Sequence, residues 1–97
     1  MTPIQWSLEA LRDLEAIRNY VAEDSQRYAD LVVGRIVAAV QRIATFPESG
    51  RVVPERGDSV IREVIVDPYR VVYRFRGHAI EVVTVFRASR SFPTTLT

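Results

Sequence analysis

The stretch Ile61-Arg62-Glu63-Val64-Ile65-Val66-Asp67-Pro68-Tyr69-Arg70-Val71-Val72-Tyr73-Arg74-Phe75-Arg76 decides the fold. It alternates with the two-residue period of an extended strand, and Asp67-Pro68 interrupts it with turn-forming residues. Two antiparallel strands joined at Asp67-Pro68 are therefore predicted. On the first, Val60, Arg62, Val64 and Val66 share one face, and Ile61, Glu63 and Ile65 the other. On the second, Tyr69, Val71, Tyr73 and Phe75 oppose Arg70, Val72, Arg74 and Arg76. Arginines stand where strands usually carry small polar residues. The hairpin is expected to grip an anion or a partner.

Downstream, Gly77-His78 predicts another turn and a third strand. Simple alternation puts Ile80, Val82, Thr84 and Phe86 on one side and Glu81, Val83 and Val85 on the other. From Arg87 to Thr97 the chain reads as a tail in which only Phe92 and Leu96 offer packing surface.

Upstream, the apolar period lengthens. Residues 2–6, with Ile4 and Trp6 flanking Gln5, fit an edge strand. Ser7 is a plausible N-cap, with Glu9 in the first turn. Leu8, Leu11, Leu14, Ile17, Tyr20 and Val21 then recur at helical spacing, and the other face carries Arg12, Asp13, Glu15, Arg18 and Asn19. Ser25 is placed to cap a second helix with a stripe of Ala29, Val32, Val33, Ile36, Val37, Val40, Ile43 and Ala44. Gly34 costs about 1 kcal/mol inside a helix, and close helix–helix approach is the expected reason for it. Phe46-Pro47 stops the helix, because proline disfavours α geometry in the residue before it. From Pro47 to Ser59 no period is visible; a connecting loop is expected, tacked to the core by Val52 and Val53.

The order β-α-α-β-β-β predicts an α+β fold: one domain over residues 1–97, with a helix hairpin on one face of a small antiparallel sheet. The second face is expected to remain open to solvent or to a partner.

Composition narrows the function. No cysteine occurs and His78 is the single histidine, so thiolate metal sites and Cys nucleophiles are excluded. No cofactor and no metal are expected. The N-terminus lacks a basic, apolar secretory signal and no apolar run approaches the ~20 residues of a membrane span. A cytoplasmic protein with no membrane partner is expected. The net charge of +1 conceals an asymmetry, and every basic residue is arginine. Residues 1–50 hold 5 arginines and 7 acids, and residues 51–97 hold 8 arginines and 5 acids, giving −2 and +3. That surplus suits a specific carboxylate or phosphate contact and is too small for nonspecific coating of DNA.

Several pieces together carry a family resemblance. They are Trp6-Ser7, Ala10, Asp13-Leu14 and Ile17; Phe46-Pro47, Gly50-Arg51 and Val53-Pro54-Glu55; Arg62-Glu63; Tyr69-Arg70-Val71-Val72-Tyr73-Arg74; and Val85-Phe86-Arg87-Ala88-Ser89-Arg90. In this order the chain resembles, over nearly its whole length, the ParE/RelE superfamily of bacterial type II toxins, and its ParE-like branch most. The resemblance implies a toxin silenced by an antitoxin encoded beside it. DNA would be bound only through that antitoxin.

Two activities are associated with this resemblance. RelE-like members cut mRNA on the ribosome; ParE-like members block DNA gyrase without nuclease chemistry. Arg70 matches an arginine that holds the scissile phosphate in the nuclease branch, but it can equally pair with Glu63 or Asp67 across the hairpin. Glu55 stands where some nucleases keep a general base, or it pairs with Arg51 or Arg56. A nuclease would rest on Arg70, Glu55 and Arg62. Against it, Ile61 and Glu63 occupy positions where RelE carries lysines. Arg87 stands where many ParE-like relatives have histidine, and no Tyr or His follows His78. A gyrase inhibitor would use Arg62, Arg70, Arg74, Arg87 and Arg90 as contacts with its target. The antitoxin would meet Leu11, Leu14, Val33, Val37 and Phe86, together with an exposed strand edge. An inactive relic that only binds antitoxin is the third reading. Tyr69 and Tyr73 are expected in the core and His78 in an exposed turn.

Overall fold

The computed structural model describes residues 1–93. It contains β1 (Ile4–Trp6), α1 (Leu8–Ala22), α2 (Gln26–Thr45), β2 (Arg51–Val52), β3 (Ile61–Val66), β4 (Tyr69–Phe75) and β5 (Ile80–Arg87). The helices begin where hydroxyl caps begin them. Ser7 Oγ accepts the Ala10 amide, and Ser25 Oγ accepts the Tyr28 amide. Phe46, just before Pro47, leaves helical geometry and ends α2. Leu96 lies outside the described residues.

The sheet has the order β1-β5-β4-β3-β2. The β3–β4 and β4–β5 pairs are antiparallel, as expected for hairpins. The sheet as a whole is mixed, because β1 lies parallel to β5, matching Ile4 with Ile80 and Trp6 with Val82. Both helices and strands β2 to β4 lie between these two strands in the chain, so no hairpin dictates their direction. The expected loop after Pro47 also yields the short strand β2 against β3. That pairing leads to Val53, which is fully buried while Val52 is half-buried.

Both helices cover one face of the sheet. Ala10, Val32, Ile36 and Val40 pack on Tyr69, Val71, Val82 and Val85. Ile43 and Ala44 pack on Tyr73 and Ile80. The buried tyrosines are therefore core, as expected. Gly34 corrects an expectation: a Cβ built there meets nothing within 4 Å, so close helix approach is not its reason.

The opposite face is less open than alternation implied. Val53, Ile61, Val72, Val83 and Phe86 form a second cluster there, with Phe92 packed against it. Part of this follows from a β-bulge. Val72 pairs with Thr84 but Tyr73 pairs with Val82, leaving Val83 as an extra residue. Phase therefore changes mid-strand. Val82 and Val85 both face the helices, whereas Val83 and Phe86 face away.

Candidate functional site

The arginine that the sequence singled out lies on this second face and is locked. Arg70 is 7% exposed. Its Nε donates to Glu63 Oε1 at 2.6 Å, and Nη2 is also 2.6 Å from that oxygen. Nη1 and Nη2 donate to Glu55 Oε2 and Oε1, both at 2.9 Å. This is the two-point geometry that a phosphate would require, already occupied by a carboxylate of the same chain. The guanidinium carbon stands 5.3 Å from each of the Phe86 and Phe92 ring centres. Those rings meet edge to face at 5.8 Å.

Glu63 has a fully buried side chain shared between two arginines. Arg51 Nε donates to Oε2 at 2.5 Å, opposite the Arg70 contacts at Oε1. The cross-strand alternatives resolve in favour of Glu63, not Asp67, as a partner of Arg70. Glu55 pairs with Arg70. The Arg70 hydrogen bonds hold the Glu55 carboxyl down at about 2. Hydrogen bonding to Glu55, reinforced by Glu63, pushes the Arg70 guanidinium further up from its already high range. A base this weak removes protons poorly near neutrality.

The other predicted contact residues divide into those bonded within the fold and those without an ion pair among the described residues. Arg62 Nη1 donates to the Glu48 and Gly50 carbonyls at 3.2 and 2.9 Å, holding the loop before β2. Arg74 Nη1 donates to Glu81 at 2.8 Å. Arg87 and Arg90 are exposed and form no ion pair among the described residues. Arg87 only stacks near Tyr69, at 5.9 Å from its ring centre. His78 is exposed in the β4–β5 turn.

The proposed antitoxin residues do not form one free patch. Leu11 is half-exposed, whereas Leu14 packs against the helix-side core. Val33 and Val37 are half-buried on α2. Phe86 is on the other face of the sheet, 4% exposed.

Sequence reading missed Asp13, which it put on the outer face of α1. Its Oδ2 accepts the Thr84 hydroxyl at 2.7 Å and the Val85 amide at 2.9 Å. The carboxylate thus satisfies an amide on the part of β5 that β1 does not reach. A signal was present: Asp13 lies three residues after Ala10 and four before Ile17, so it belongs to the inward stripe. Beside it Glu9 has its carboxyl raised, chiefly by a hydrogen bond with Asp13. Tyr73 is in the core as expected, but the task of its hydroxyl is a second omission. Its hydroxyl donates to the Pro47 carbonyl at 2.7 Å and accepts the Gly50 amide at 3.0 Å. Burial raises its phenol.

The result is a small α+β protein in which the cluster of Arg51, Glu55, Glu63 and Arg70 is internally neutralised. Residues 4–92 match the family described as the ParE toxin of the type II toxin–antitoxin system parDE. The chain belongs to this family and is the toxin component of a toxin–antitoxin pair. It is 39% identical to the Y4kP protein of Sinorhizobium fredii over 96% of this chain and 95% of the relative. It is 32% identical to Toxin RelE2 of Caulobacter vibrioides over 93% of this chain and 99% of the relative. The solved chromosomal ParDE TA system from P. aeruginosa shares the fold, with a TM-score of 0.74 at 24% identity. That likeness covers 90% of this chain and 96% of the other.

Proposed function

We propose that this toxin acts by binding DNA gyrase and blocking replication, without cutting RNA. One observation carries the reading: Arg70 and Glu55 are paired to each other. A ribonuclease of the RelE type would need the arginine free for a phosphate and the carboxylate free for a proton. Here each satisfies the other, and the arginine is buried besides. The family to which the chain belongs points to an antitoxin that neutralises it. Arg87 and Arg90 would then supply the target contacts, because Arg62, Arg70 and Arg74 are spent on holding the fold.

The test is pulse labelling after induction of the chain alone, followed by supercoiling assays with purified gyrase. An early fall in thymidine incorporation with methionine incorporation intact supports the reading. Accumulation of cleaved DNA in the gyrase assay would identify the stalled intermediate. An early fall in methionine incorporation, with mRNA ending in 2′,3′-cyclic phosphates, would move the activity to the ribosome. Neither fall would leave a protein that only binds its antitoxin.

A further inference from the structure

Helix α2 buries one row of side chains and leaves another bare. Val32, Ile36, Val40 and Ile43 pack into the core. Tyr28, Leu31, Arg35, Ala38 and Arg42 recur at three- and four-residue steps along a different row of the same helix. Tyr28, Leu31 and Phe46, the residue that ends the helix, are each more than half exposed. Arg35 and Arg42 are exposed, and neither has an ion pair among the described residues. An open depression of about 480 Å³ lies beside Tyr28 and Leu31, lined also by Ser25, Arg27 and Asp30. The bare row does not serve the helix hairpin. Arg18 of α1 pairs with Asp30, and Val33 and Val37 follow Asp30 at three and seven residues, so their row faces α1. Arg35 and Arg42 stand on the flank turned away from it. Val33 and Val37 are the α2 residues expected to meet the antitoxin, and the bare row is separate from them.

We infer that this row is where the toxin docks on its target, against an acidic amphipathic helix of that enzyme. The inference rests on the proposed action on DNA gyrase and assigns it a surface. Arg35 and Arg42 are two turns apart, roughly 10 Å at 1.5 Å per residue. A helix lying along α2 meets them with two carboxylates at the same seven-residue spacing. One of its apolar side chains enters the depression beside Tyr28 and Leu31. Aromatic residues and arginine are the side chains enriched at interfaces and at their energetic centres, and this flank presents both in one row. Charge selects the partner: two guanidiniums without ion pairs repel a basic surface and favour an acidic one. The same charges oppose self-association, because pairing this row with that of a second copy brings arginines against arginines.

The experiment measures binding of the purified toxin to purified gyrase by biolayer interferometry, and to the antitoxin encoded beside it by titration calorimetry. Three variants are compared: Arg35→Glu with Arg42→Glu, Leu31→Asp, and Arg76→Glu. Circular dichroism melts confirm that each is folded; all four positions are exposed. The double reversal should weaken gyrase binding by about a hundredfold, as loss of charge pairs at an interface does. Leu31→Asp should weaken it by about tenfold or more, as loss of an apolar anchor does. Antitoxin affinity should be unchanged in both. Arg76→Glu, in the β4–β5 turn, should bind both proteins like the wild type. Full gyrase affinity in both row variants would overturn the surface and leave the gyrase reading standing. A wild type that binds no gyrase would remove that reading and this inference with it. Loss of antitoxin affinity in place of gyrase affinity would assign the row to the antitoxin and overturn the inference. An equal loss in Arg76→Glu would reduce the effect to net charge and overturn it as well.

Discussion

Arg70 and Glu55 face each other through two parallel hydrogen bonds, both 2.9 Å long. Residues 15 positions apart, one on a central strand and one in an irregular loop, thus form a closed fork. The pair pins the loop that follows β2 against the second face of the sheet. Its first consequence is structural.

Arg70→Ala should destabilise the chain by about 3 kcal/mol, because it removes one member of a buried ionic cluster and leaves Glu63 with Arg51 alone. Glu55→Gln should cost much less, since that side chain is 44% exposed. Urea unfolding of both variants checks the order. Toxicity should survive in Glu55→Gln. Loss of toxicity there, in a chain as stable as the wild type, would give the carboxylate a catalytic task.

The same pair predicts an acid-sensitive step. The Glu55 carboxyl is lowered from 4.5 to about 2 in the folded chain by its bonds to Arg70. A depressed carboxyl stabilises the fold above its unfolded value, and that contribution is lost as the pH falls through the folded value. The stability gap between wild type and Glu55→Gln should therefore be constant above about 4.5 and shrink towards about 2. Thermal melts at half-unit intervals would reveal it; a gap that widens on acidification contradicts the assignment.

Two glycines should respond in opposite directions. Gly34 sits in the middle of α2 with open space where a Cβ would stand. Gly34→Ala should stabilise by about 0.5–1 kcal/mol through helix propensity. At Gly50 a Cβ would lie 2.5 Å from the Tyr73 hydroxyl and 2.8 Å from the Glu63 carbonyl. Gly50→Ala should destabilise by about 1–3 kcal/mol, as overpacking does. Denaturant midpoints measured on the two variants decide both signs.

Tyr73→Phe removes one hydroxyl that serves two backbone groups. The Gly50 amide and the Pro47 carbonyl would both lose their partner. The expected cost is about 1–3 kcal/mol, the usual penalty for a buried polar group left unpaired. Hydrogen exchange should localise the change, with faster exchange at the Gly50 amide. Unchanged protection there would mean that the hydroxyl does not hold the loop.

Much of the architecture is local and therefore readable. Ser7 and Ser25 start helices by side-chain chemistry that acts over three residues, and Phe46-Pro47 stops one by a steric rule between neighbours. The two-residue period of residues 61–76 placed Arg70 and Val72 on one face and Tyr69 and Tyr73 on the other. What the sequence left undecided involves residues far apart in the chain. Parallel pairing of β1 with β5 depends on how the helix hairpin returns the chain. The Val83 bulge shifts the phase of β5 because β4 and Asp13 fix the strand from either side, and no period within β5 announces it. The sequence offered Glu63 and Asp67 for Arg70, and Arg51 and Arg56 for Glu55. Only the folded loop, carried back over the sheet by β2, brings Glu55 within 2.9 Å of the guanidinium. Sequence alone determined that an arginine would stand on that face. Tertiary structure decided that it would be neutralised, because a charge is quenched by whatever opposite charge lies nearest in space, however distant along the chain.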